Sequence, residues 1–139
     1  MELTASLDGM AVAPDDPLVR AVVISLLTWR RADDSDEVPP DGERMGWWGD
    51  SVPSVAGDRI GSKLWLRRRE KLLPETVRRI EDDCRDALQW LVDDGHVTAV
   101  SVAGQRAGDT SLAVQVVLTL PEGRALSVSF GNLWSVIHV

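Results

Sequence analysis

The chain has no tyrosine, one phenylalanine, one cysteine and two histidines among its 139 residues. Each shortage removes a class of function. A lone Cys84 cannot close an internal disulfide, so the fold does not rely on one. His96, His138 and that single thiol are too few for a structural zinc site of the Cys/His kind and leave little for a Cys–His nucleophile pair. Long apolar runs are also missing: the longest, Leu18 to Trp29, is broken by Arg20 and Ser25 and falls short of the ~18 residues that would span a bilayer. Met1-Glu2-Leu3-Thr4 lacks a basic start, so no secretory leader is expected. There is no Gly-x-Ser-x-Gly elbow. Gly104-Gln105-Arg106-Ala107-Gly108 has no phosphate-loop lysine and precedes a strand pattern, which reads as a hairpin turn. No catalytic residue, metal or cofactor is assigned.

What is abundant is tryptophan, at positions 29, 47, 48, 65, 90 and 134, and charge laid down in blocks. Residues 33–58 hold eight acids against Arg44 alone, a net −7; residues 59–79 sum to +6, residues 80–95 to −5, and the last 44 residues to zero. A duplex-binding protein needs a basic face of its own, so no nucleic-acid partner is expected. The run Arg67-Arg68-Arg69 is read as a solvated or interface face opposite the acidic blocks. The pairs Asp33-Asp34, Asp82-Asp83 and Asp93-Asp94 are read as solvated, since nothing in the pattern buries one carboxylate beside another. The acidic run at 33–37 lacks the central glycine and terminal glutamate of a calcium loop.

Periodicity yields an α+β expectation. Asp16 and Pro17 suit the N-cap and first turn of a helix over 17–31, with Leu18, Val22, Ser25 and Trp29 on one stripe. A second helix over 74–94 opens at Pro74, carries Val77, Ile80, Cys84, Leu88 and Leu91 at helical spacing, and stops at Gly95. Its opposite face holds Arg78, Arg79, Asp82, Asp83 and Arg85. Cys84 is thus a small core residue. After Gly95 the period becomes two, and strands are expected at 97–102, 111–120 and 125–130, forming an antiparallel three-stranded meander backed by the two helices. Residues 1–15 read as an N-terminal arm or short strand with a turn at Asp8-Gly9. Residues 32–59 read as a long acidic loop carrying Trp47 and Trp48, all within a single domain of 1–139. Trp29, Trp65 and Trp90 fall on apolar faces; for Trp47 and Trp48 core and interface stay equally open.

One string is unusual. Gly46-Trp47-Trp48-Gly49-Asp50 is followed by Asp58-Arg59-Ile60-Gly61-Ser62-Lys63-Leu64-Trp65-Leu66 and Glu70-Lys71-Leu72. Val23-Ile24-Ser25-Leu26-Leu27-Thr28 precedes it, and Ala87-Leu88-Gln89-Trp90-Leu91-Val92-Asp93-Asp94-Gly95 follows. Over about residues 18–95 this resembles the Mu-like phage baseplate protein family, related to the small wedge proteins, or sheath initiators, of contractile tails. The resemblance implies a virion structural protein, made in the host cytoplasm and placed in a tail baseplate. Its implied partners are the tail sheath protein and other wedge and hub proteins, with sheet extension by a neighbour's strand beginning the sheath lattice. It departs from the better known wedge relatives in three places, one of them a shorter N-terminal arm. Asp93-Asp94-Gly95 stands where they carry Glu-Pro-Arg, and Leu73 stands where a threonine caps the second helix.

With that resemblance, the partner-binding residues are taken to be Trp47, Trp48 and Asp50 in the loop, Arg67, Arg68 and Arg69 in the basic run, and Ser127 and Ser129 should 125–130 form the sheet edge. A tail-associated murein hydrolase using an acidic pair and a generic peptide-binding domain are the competing readings.

Overall fold

Asp16 opens the first helix, α1 (Pro17–Leu27): its Oδ1 accepts the backbone N–H groups of Leu18 and Val19 at 3.0 and 3.3 Å, and Pro17 fills the first turn where no donor is required. The computed structural model describes residues 2–28 and 61–138. Trp29, Trp47, Trp48, Asp50 and the acidic segment at 32–59 lie outside those residues. The helix stops at Leu27 because Thr28 turns extended (φ −98°, ψ 128°). The two flanks of the segment then meet: Ser62 donates its N–H to the Thr28 carbonyl at 2.7 Å and its Oγ–H to the Leu26 carbonyl at 2.7 Å.

Leu64–Arg67 form a short 3-10 turn whose Leu64, Trp65 and Leu66 are buried. The second helix, α2 (Pro74–Asp93), buries Ile80, Cys84, Ala87, Leu88 and Leu91, the stripe the spacing predicts. It ends in a glycine cap at Gly95 (φ 79°), with the Gly95 N–H on the Val92 carbonyl and the His96 N–H on the Leu91 carbonyl.

The sheet corrects the three-stranded expectation. It has five strands, all antiparallel, in the order β2-β1-β5-β4-β3: β1 (Leu3–Leu7), β2 (Met10–Ala11), β3 (Ala99–Ala107), β4 (Ser111–Thr119) and β5 (Ala125–Phe130). Of the two readings of residues 1–15, arm or short strand, the structure shows the strand, at Leu3–Leu7 and Met10–Ala11. Asp8 and Gly9 both take positive φ (50° and 86°), the requirement of a two-residue hairpin turn, and they fold β1 beside β2. Leu3, Ala5 and Leu7 pack against the core, which places β1 alongside β5. Asp8 locks the join, with its N–H on the Ala125 carbonyl and its Oδ1 accepting the Ala125 N–H, each at 3.0 Å.

β3 also runs farther than 97–102: it continues through Gly104 to Ala107, so the turn begins only at Gly108 (φ 68°). The alternation on β4 and β5 holds as read. Leu112, Val114, Val116, Leu118, Leu126, Val128 and Phe130 point to the helices and are buried. A last short helix, α3 (Trp134–Ile137), closes the core with Leu133, Trp134 and Ile137.

Candidate interaction site at the sheet edge and basic segment

Residues of an antiparallel strand turn their N–H and C=O groups alternately to one neighbour and then to the other. Leu112 fixes the phase on β4, because its N–H meets Asn132 Oδ1 at 3.1 Å and its carbonyl meets the Leu133 N–H at 2.8 Å, both on the β5 side. Val114, Val116 and Leu118 share that direction and pair with β5, so Ala113, Gln115, Val117 and Thr119 pair with β3. Across the register, Ala99, Ser101, Ala103 and Gln105 face β4, and Val100, Val102, Gly104 and Arg106 turn their backbone groups outward. Gly104 agrees independently: its N–H goes to Glu81 Oε2 of α2 at 2.7 Å, not to β4.

The result is a nine-residue edge at β3, where the opposite edge, β2, is two residues long. Proteins usually blunt such edges with charge, proline or shortness. From Ala99 to Gln105 this one has no charged side chain and no proline. Its first charge, Arg106, turns back so that Nη1 donates to the Leu72 carbonyl at 3.1 Å.

The sheet face opposite the helices is also uncharged in its centre. Thr4, Ser129, Gln115 and Ala103 form one row across four strands, and Ser6, Ser127, Val117 and Ser101 the next. These side chains are exposed or half-buried, and the face curves into an open concavity of about 670 Å³ with Glu2 beside it. Ser127 and Ser129 do face away from Leu126, Val128 and Phe130, as read. They sit on an interior strand, however, flanked by β1 and β4, so residues 125–130 are not the edge. The hairpin at Asp8-Gly9 occupies the place where that edge was expected.

The basic run divides into three different environments. Arg67 is a strut: its Nε lies 2.9 Å from Asp83 Oδ2 and its Nη1 2.9 Å from Glu70 Oε2, and Arg79 holds the other Glu70 oxygen at 2.7 Å. Arg68 is half-buried with its guanidinium 5.8 Å from the centre of the Trp65 ring. Arg69 is exposed. The structure brings Arg67 and Arg68 into the domain and leaves Arg69 to solvent.

Asp83 corrects the reading of a solvated Asp82-Asp83 pair. Its side chain is 9% exposed; burial pushes its carboxyl up to about 6, against the pull of Arg67. The signal was present in the spacing, since Asp83 lies three residues after Ile80 and four before Ala87, both buried. Asp82, by contrast, is exposed and paired with Arg85. Asp93 is exposed and accepts from Gln89 at 3.0 Å. Cys84 is fully buried, and burial raises its thiol far above the usual range. Among the described residues no group of three or more His, Cys, Asp or Glu converges as a metal site, and no helix is long and apolar enough to cross a membrane.

Comparison with known proteins adds the context for these surfaces. The model of the family described as phage protein GP46 matches residues 18–125. The baseplate protein gp46 of Escherichia phage Mu is 44% identical over 126 residues, covering 88% of this chain and 83% of that protein. The Mu-like prophage FluMu protein gp46 of Haemophilus influenzae is 38% identical over 122 residues, covering 88% and 82%.

Proposed function

The chain belongs to the phage protein GP46 family, and on that premise we propose that it is a structural, non-catalytic part of a contractile tail baseplate, in a phage or a prophage-derived particle. In this reading it joins the baseplate wedge to the tail sheath through protein contacts. The relative from phage Mu is itself described as a baseplate protein, which supports the location. The observation that carries the reading of how it joins is β3: a nine-residue edge with outward backbone groups at Val100 and Val102 and no charge until Arg106.

An extended segment of a neighbour gains backbone hydrogen bonds on such an edge without needing sequence-specific chemistry. The tail sheath protein is the proposed donor of that strand. Other wedge and hub proteins are proposed to contact Trp47, Trp48 and Asp50, and also the exposed Arg69.

Val100→Pro tests the docking edge. Val100 turns its N–H away from β4, so proline there removes a donor from the open edge and leaves the β4 ladder complete. The variant is expected to remain a folded monomer by circular dichroism and to lose the capacity to seed polymerisation of purified sheath protein. A folded V100P that seeds normal sheath would rule out β3 as the docking edge.

A further inference from the structure

The β3 edge is not uniform along its length. Its outward positions are Val100, Val102, Gly104 and Arg106. At Gly104 the outward N–H is already taken by Glu81 Oε2 at 2.7 Å, a short charge-assisted bond. The helix stands close there. A Cβ on Gly104 would come within 2.9 Å of Val77 Cγ1 and 3.7 Å of Glu81 Cγ, so glycine is what lets α2 reach the edge. One step further, Arg106 is folded back onto the Leu72 carbonyl. The half of the edge beyond Ala103 is thus covered by α2 and the residues before it. Among the described residues, nothing outside the sheet takes the backbone N–H of Val100 or Val102.

We propose that Glu81 sets where a docked strand ends: it confines pairing to Ala99–Ala103 and presents a carboxylate to a basic residue at the end of the partner segment. This deepens the augmentation reading above and rests on it. The partner is an extended segment that pairs over about five residues, bonds the backbone of Val100 and Val102, and leaves the edge opposite Gly104 with a lysine or arginine. A carboxylate at that point would face Glu81 with like charge, and an uncharged residue would forgo the pairing. Continued pairing past Gly104 would have to displace the Glu81 bond from the Gly104 N–H.

The test uses amide hydrogen exchange resolved by residue, on the full chain alone and with purified tail sheath protein. In the free protein, Gly104 should exchange at least 10-fold more slowly than Val100 and Val102. With sheath protein, Val100 and Val102 should become protected while Gly104 stays unchanged. Glu81→Ala should free the Gly104 amide in the isolated chain, and in the complex protection should then extend to Gly104. Glu81→Gln keeps an acceptor for the Gly104 N–H and removes the charge, so it should preserve the boundary and bind sheath protein about 10-fold more weakly. Glu81→Lys should weaken binding further.

If Val100 and Val102 gain no protection from sheath protein, both the augmentation reading and the proposal fall. If they gain it while Glu81→Ala leaves the boundary where it was, or while Glu81→Lys binds as well as wild type, the proposal alone is overturned.

Discussion

The Nε of Arg67 lies 2.9 Å from Oδ2 of Asp83, tying the 3-10 turn at Leu64–Arg67 to the middle of α2. Burial is the larger influence on this carboxyl and pushes it up to about 6, above an ordinary aspartate. A raised folded-state value means that the native chain holds the proton more tightly than the unfolded chain. The contribution of Asp83 to stability is therefore fullest below about pH 4 and falls as pH rises through about 6.

Asp83→Asn removes that titration. The stability difference between wild type and D83N should shift against wild type by on the order of 3 kcal/mol between about pH 4 and pH 7. Denaturant unfolding of both proteins across that range is the check. Parallel stability curves for the two would show that Asp83 does not titrate this way.

The start of α2 lacks a side-chain cap. Leu73 sits in the extended cap conformation (φ −104°, ψ 167°) and makes no capping bond, and its side chain is already exposed. Leu73→Thr or Leu73→Asp supplies an acceptor for the free N–H groups of the first turn. Either should raise stability by about 1 kcal/mol, read as an increase in Tm. A decrease would mean that the apolar side chain of Leu73 matters more than the missing cap.

α1 and α2 are joined by one polar contact inside an apolar interface: Trp90 Nε1 donates to Ser25 Oγ at 2.9 Å, and Ser25 is 1% exposed. Ser25→Ala leaves the indole N–H without that partner and should cost about 1–2 kcal/mol. In a Trp90→Phe background the same substitution should cost much less, because the donor has gone. Equal costs in both backgrounds would show that Ser25 acts by packing alone.

Trp47 and Trp48 are proposed as partner anchors. Trp47→Ala with Trp48→Ala should reduce incorporation into tail particles, in line with the loss of ~2 kcal/mol or more expected for a buried aromatic anchor. Unchanged incorporation together with unchanged Tm would end that proposal.

Much of the fold was legible because it is written in local chemistry. The cap at Asp16-Pro17, the stripe from Ile80 to Leu91, the stop at Gly95 and the alternation on β4 and β5 each follow from neighbours a few residues apart. The five-stranded sheet was harder, because β1 pairs with a strand more than a hundred residues away, and only the turn at Asp8-Gly9 hinted at it. That pairing decides which strand is the edge, so 125–130, expected as a possible edge, lies inside the sheet. Asp83 was misread because its residue type outweighed its position, although its spacing from Ile80 and Ala87 put it on a buried face. The bond from Gly104 to Glu81 carries no sequence signal beyond a glycine inside a strand.

Electron cryo-microscopy of the intact tail particle would image the docking edge itself. This chain should lie in the baseplate, with a strand from the sheath protein along β3 and hydrogen-bonded to Val100 and Val102. A β3 edge bordered only by solvent, or a baseplate without this chain, would overturn that placement.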